Sequence, residues 1–139
     1  MADVEEEQCA PILFLTRDQV LILHRYGIER YTPGEPREII NESGLQSALQ
    51  QPEQTWDGQY IYDIAKMAAA YMFSFASNHA FLQGNKRLAL ATCSTFLRIN
   101  GYRLTLTEDE GADLVLRIVN GRIEQDQVAE ILGDAMVVM

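Results

Sequence analysis

The segment Asn78-His79-Ala80-Phe81-Leu82-Gln83-Gly84-Asn85-Lys86-Arg87 brings together a histidine, a glycine-centred turn and a cationic pair at the start of an apolar helical run. In outline this is an anion site. The first N–H groups of a helix lack internal partners and the helix dipole is positive there, so a phosphate is well placed against them. Gly84 lets the backbone approach closely, Asn85 can cap the helix or contact an oxygen, and Lys86 with Arg87 supplies charge and a forked donor. His79, ahead of the turn, is of the residue type most often used as a general base that takes a proton from an attacking hydroxyl. Taken alone it reads first as a helix cap or a core hydrogen-bond partner, and as a base second.

Two helices must hold this turn. Ile61, Ile64, Ala65, Ala68, Tyr71, Met72 and Phe75 recur at intervals of three and four, which predicts a helix running to Ser77. Leu88, Leu90, Ala91, Thr95, Phe96, Leu97 and Ile99 predict a second from Asn85 to Ile99. Being apolar over most of its circumference, it reads as the central helix, and Asn100-Gly101 stops it. Capping-box spacings at Thr16/Gln19, Ser43/Gln46 and Thr107/Glu110 open three more helices, and a last one starts near Glu124. The polar run QPEQTWDGQ, residues 51–59, carries Pro52 and Gly58 and reads as a flap or turn. The fold class expected is all-α: one compact helical domain over residues 13–136 with a short flap before the central helix pair, behind a flexible tail over residues 1–12.

Composition narrows the function classes. A chain of 139 residues with 47% hydrophobic and 22% charged residues is sized and composed as one folded domain. A net charge of -9 repels a phosphate backbone, which argues against a nucleic-acid partner while leaving room for a small basic cleft. Glu5, Glu6 and Glu7 read as a solvated terminus. Cys9 and Cys93 lie too far apart in sequence and context to suggest a disulfide or a metal site, and Cys93 reads as a small core residue. The start is acidic where a secretory signal is basic, and no stretch approaches the ~20 apolar residues a membrane crossing needs, so no membrane partner and a cytoplasmic location are expected.

The string HAFLQGNKR, His79 to Arg87, resembles the Fic/Doc motif HxFx(D/E)(A/G)N(K/G)R at every position except the acidic one, where Gln83 stands. FLTRDQVLILHR near the start, SGLQSALQQPEQTW and FLRINGYRL also resemble the death-on-curing branch of that superfamily, so the likeness spans roughly residues 13–133. The resemblance implies a Fic-fold toxin of a toxin–antitoxin system with ATP as its nucleotide and Mg2+ as its metal. His79 would be the general base acting on a target hydroxyl, and Phe81 would anchor the loop. Gly84, Asn85, Lys86 and Arg87 would hold the phosphates. AMP-transferring members usually carry GNGRxxR. This chain has Lys86 and, at the second arginine position, Leu90, which resembles the branch that transfers the terminal phosphate. A translation elongation factor as target and a Phd-like antitoxin folded over the active-site groove are further implications, and Thr55 and Trp56 on the flap would help dock the target.

Gln83 leaves three readings open. Its neutral carbonyl oxygen is a poorer magnesium ligand than a carboxylate. Either the nucleotide carries the metal, or Asp57 or Glu53 from the flap compensates, or the site is degenerate and the chain is a binding module. Trp56 reads equally as a docking residue and as a cover for the core edge. Arg37 reads as paired with Glu35 or Glu38 rather than facing the site, and His24, on an apolar helix face, as structural.

Overall fold

The computed structural model describes residues 11–139; Glu5, Glu6, Glu7, Cys9 and most of the expected tail lie outside the described residues. The elements run α1 (Arg17–Tyr31), α2 (Glu42–Gln50), a 3-10 turn (Gln51–Glu53), β1 (Thr55–Trp56), β2 (Gln59–Tyr60), α3 (Ile64–Ser77), α4 (Asn85–Ile99), β3 (Tyr102–Leu104), α5 (Glu108–Val119), α6 (Gln125–Asp134) and β4 (Met136–Val138). The fold is helical, with two small antiparallel pairs, β1–β2 and β3–β4. Ile12 already packs against the core, and β4 carries the chain past residue 136, closing on β3 with Tyr102 opposite Val138.

Local chemistry explains most boundaries. Reciprocal capping boxes open α1 at Thr16 and α5 at Thr107, each hydroxyl accepting the N–H three residues on. Two expectations shift. The cap of α2 is Asn41 rather than Ser43, because the Asn41 side chain accepts the Gly44 N–H and Ser43 donates its hydroxyl to Asn41 Oδ1. Helix α3 starts at Ile64, three residues later than its apolar stripe suggested, because Asp63 caps it through the Lys66 N–H.

The more enclosed of the two central helices is α3, not α4. Met67 through Met72 are all buried, and Tyr71 and Phe75 are fully inaccessible. Ala68, Ala69 and Ala70 let neighbours approach closely around the middle of the helix, whereas α4 has fewer buried residues and is exposed at Arg98 and Ile99. Helix α1 presents one buried stripe, Val20, His24 and Ile28, so a histidine occupies a core-facing position. In the flap, Asp57 and Gly58 both take positive φ, as a two-residue hairpin turn requires.

Candidate active site

Helix α3 ends at Ser77, Asn78 caps it, and His79 sits at φ 49 before the chain turns into α4 through Gly84 at φ 82. A left-handed histidine costs about 1–2 kcal/mol, so surrounding contacts must impose it. They come from α2. Asn41 Nδ2 donates to the Asn78 carbonyl at 3.0 Å, and Asn78 Nδ2 donates to the Gly44 carbonyl at 3.0 Å. The Ile40 and Asn41 N–H groups both donate to the Ala80 carbonyl, so the backbone on either side of His79 is tied to one strip of α2 and its approach. The His79 side chain is left exposed to solvent.

Gly44 is what lets this clamp close: a Cβ there would lie 2.5 Å from Asn41 Nδ2 and 2.9 Å from the Asn78 oxygen. Gly44→Ala should therefore overpack the junction, at about 1–3 kcal/mol. Better helix propensity returns about 1 kcal/mol. A net loss, read as a lower urea midpoint, is expected together with slower transfer through displacement of His79; an unchanged midpoint would mean the clamp is slack.

The second half of the turn is braced from within and from α1. Phe81 is buried and bridges Ile39 across the loop. The Asn85 amide is used on both sides, Nδ2 donating to the Phe81 carbonyl at 2.7 Å and Oδ1 accepting the Phe81 N–H at 3.1 Å. That side chain therefore shapes the loop. The N–H groups of Gly84, Asn85, Lys86 and Arg87 have no acceptor among the described residues, which leaves four backbone donors at the positive end of α4.

Lys86 is exposed, while Arg87 is held by α1. The guanidinium donates to the Gly27 carbonyl at 3.0 Å and to Thr32 Oγ1 at 3.4 Å, and lies over the Tyr31 ring at 5.1 Å. A guanidinium has five N–H donors, so this anchoring leaves others for an anion. Arg87 lines a mainly apolar groove of about 550 Å³ between α1, α4 and the start of α5, with Leu23, Tyr31, Leu90 and Leu106 among its walls. Leu90 also packs against α5: a Cβ on Gly111 would meet its methyl carbons at 2.8 Å.

The remaining expected residues are less closely joined to the turn. Thr55 and Trp56 are exposed and pair with Tyr60 and Gln59; among the described residues no hydrogen bond links them to residues 79–87. Trp56 is 79% exposed, so it does not cover the core edge. Gln83 exposes its side chain. Among the described residues no three His, Cys, Asp or Glu side chains gather where a metal ion could be held, so Asp57 and Glu53 form no acidic cage with the loop. The donor set fits a phosphate and does not fit a protein-held divalent cation. Arg37 pairs with Glu29 at 3.3 Å rather than with Glu35 or Glu38, because its loop folds back along α1. Cys93 is fully buried and its thiol is pushed up to about 12 by desolvation, which rules out a thiolate role near neutral pH.

Sequence reasoning missed the Asn41–Gly44–Asn78 clamp and the contact of His24 with the loop. The first carried only the weak signal of asparagines at helix ends. The second carried a stronger one, a polar side chain in a buried stripe, which must find a partner.

Comparison with known proteins agrees with this geometry. The Fic/DOC family model matches residues 14–97, more than half of the chain. The chain is 29% identical over 125 residues to "Protein kinase doc" of Escherichia phage P1, covering 85% of this chain and 91% of that protein. It is 37% identical over 95 residues to "Toxin Doc" of Mycolicibacterium smegmatis, covering 66% of this chain and 73% of that protein. With a left-handed histidine at one helix end and a glycine turn into the next already in place, this match puts the chain in the Fic/DOC family, on its death-on-curing side.

Proposed function

We propose that this protein is the toxin of a toxin–antitoxin pair and transfers the terminal phosphate of ATP to a hydroxyl group of a target protein. The observation that carries the reading is the turn itself: an exposed, conformationally forced His79 followed by a row of N–H donors at Gly84 to Arg87 with no acceptor among the described residues. In the reaction, the target oxygen forms a bond to the terminal phosphorus as the bond from that phosphorus to the ADP oxygen breaks. The target's proton passes to His79, and ADP leaves. The N–H row, Lys86 and the outward N–H groups of Arg87 bind and orient the phosphate oxygens. Asn85 contributes its backbone N–H, since its amide is engaged with Phe81.

Leu90 supports terminal phosphate transfer over AMP transfer. Where AMP-transferring relatives usually place an arginine, this chain packs methyl groups against Gly111 and supplies no charge. Magnesium would enter with the nucleotide, with Gln83 offering one neutral oxygen. Thr55 and Trp56 would present a strand edge to the target, which we take to be a translation elongation factor, so that modification arrests growth. A Phd-like antitoxin would lay a segment along the groove beside Arg87.

Incubation with cell extract and ATP labelled at the terminal phosphate should label one protein, whereas ATP labelled at the α-phosphate should not. Label only from the α-position would establish AMP transfer instead. Label from neither, with magnesium present, would favour the second reading that Gln83 motivates: a catalytically silent module that works by binding.

A further inference from the structure

We propose that His24 is a positioning residue of the phosphate loop: by donating its Nε2–H to the Gln83 carbonyl, it turns the Gly84 N–H outward to meet the anion. This rests on the reading of Gly84 to Arg87 as a phosphate site. It adds a residue from α1, far from the motif in sequence, that acts only through the loop backbone.

Three contacts converge on one ring. His24 is 4% exposed and its Nε2 lies 2.7 Å from the Gln83 oxygen. A carbonyl only accepts, so Nε2 carries the proton. The ring stacks on Phe81 at 3.7 Å between centroids with an interplanar angle of 15°. A Cβ on Gly84 would sit 3.3 Å from the same Nε2, and Gly84 takes φ 82, so both its missing side chain and its backbone suit the close approach.

The consequence follows from peptide geometry. No peptide bond among the described residues is cis, so the Gly84 N–H points opposite to the Gln83 carbonyl across a planar unit. With the carbonyl held inward against α1, the N–H faces away from α1, where it finds no acceptor among the described residues. The hydrogen bond to His24 thus sets the orientation of the first donor in the row. Packing alone does not require this residue, since phenylalanine would stack on Phe81 equally well without burying a polar ring. Burial lowers the imidazole pKa below its usual range, the hydrogen bond to the Gln83 carbonyl opposes this, and Arg87 and Arg37 add to the lowering.

The test compares His24→Phe, which keeps the stack and removes the donor, with His24→Gln, which restores a donor near the Nε2 place and loses the stack. Folding is followed by circular dichroism. The readouts are the Gln83 carbonyl and Gly84 amide NMR resonances, calorimetric affinity for inorganic tripolyphosphate, and kcat and KM for ATP. In the unaltered protein the Gly84 amide should shift on adding tripolyphosphate. In His24→Phe the Gln83 carbonyl resonance should move as its hydrogen bond is lost, the Gly84 response should disappear, and affinity should fall about tenfold or more. His24→Gln should recover affinity to within about threefold.

A folded His24→Phe with an unchanged Gly84 response and affinity overturns the proposal, even if the protein is an active kinase. If His24→Phe does not fold, His24→Gln decides alone: a retained Gly84 response supports the proposal and a lost one overturns it. An unaltered protein that binds tripolyphosphate through Gly84 but transfers no phosphate removes the kinase reading and leaves the role of His24 standing. Failure of the unaltered protein to bind tripolyphosphate overturns both.

Discussion

Replacing His79 with alanine is expected to lower phosphate transfer by about 10²–10⁴-fold, the usual contribution of a positioned acid–base group. Stability should change far less, because the side chain is exposed. The sharper variant is His79→Gly. Glycine relieves the left-handed backbone at φ 49, worth about 1–2 kcal/mol, and loses about 0.4–1 kcal/mol through its greater freedom in the unfolded chain. The urea midpoint should therefore stay level or rise while transfer collapses. If activity were instead to follow stability across both variants, His79 would be a structural cap. A second check is growth: expression of the unaltered chain should arrest cells, and expression of either variant should not.

The other large effect is expected at Gln83, and it is a gain. Gln83→Glu places a carboxylate on the loop, where the described residues offer no acidic cluster for a divalent ion. One unit-charge pair at 4 Å is worth roughly 4 kcal/mol at an effective dielectric of 20. Exposure of Gln83 means that water screens most of this. A remaining 1.4 kcal/mol would tighten magnesium binding about tenfold. The magnesium concentration for half-maximal transfer should fall accordingly, with the rate at limiting magnesium rising in step. A growth defect seen only in Gln83→Glu would identify the natural chain as silent. Equal magnesium dependence in both proteins would mean that the nucleotide alone carries the ion.

How much of this was readable in advance varies residue by residue. Thr16 and Thr107 announced their helices because a capping box is complete within four residues and needs no tertiary partner. The turn from His79 to Arg87 was readable for the same reason: its glycine, cationic pair and helix start are neighbours along the chain. By contrast, Ser43 looked like a cap and Asn41 proved to be one, because Asn41 also serves Asn78 across the helix junction. Helix α4 looked the more central by its apolar circumference. Helix α3 proved so, because alanine's value in a crowded interior lies in the neighbours it admits.

The sequence by itself therefore determined the chemistry on offer: a histidine, a glycine turn and a cationic pair at a helix start, in a mainly helical chain. Those properties depend on residues close in the chain, and short-range sterics and hydrogen bonds settle them. Only the tertiary structure decided how the turn is held and which of its groups remain free. Asn85 is committed to Phe81, Arg87 is partly committed to α1, the Asn78 carbonyl beside His79 is held by Asn41, and the Gln83 carbonyl is claimed by His24. Each of these is a polar group that must find a partner once buried or crowded, and spacing along the chain cannot identify a partner that arrives from another helix.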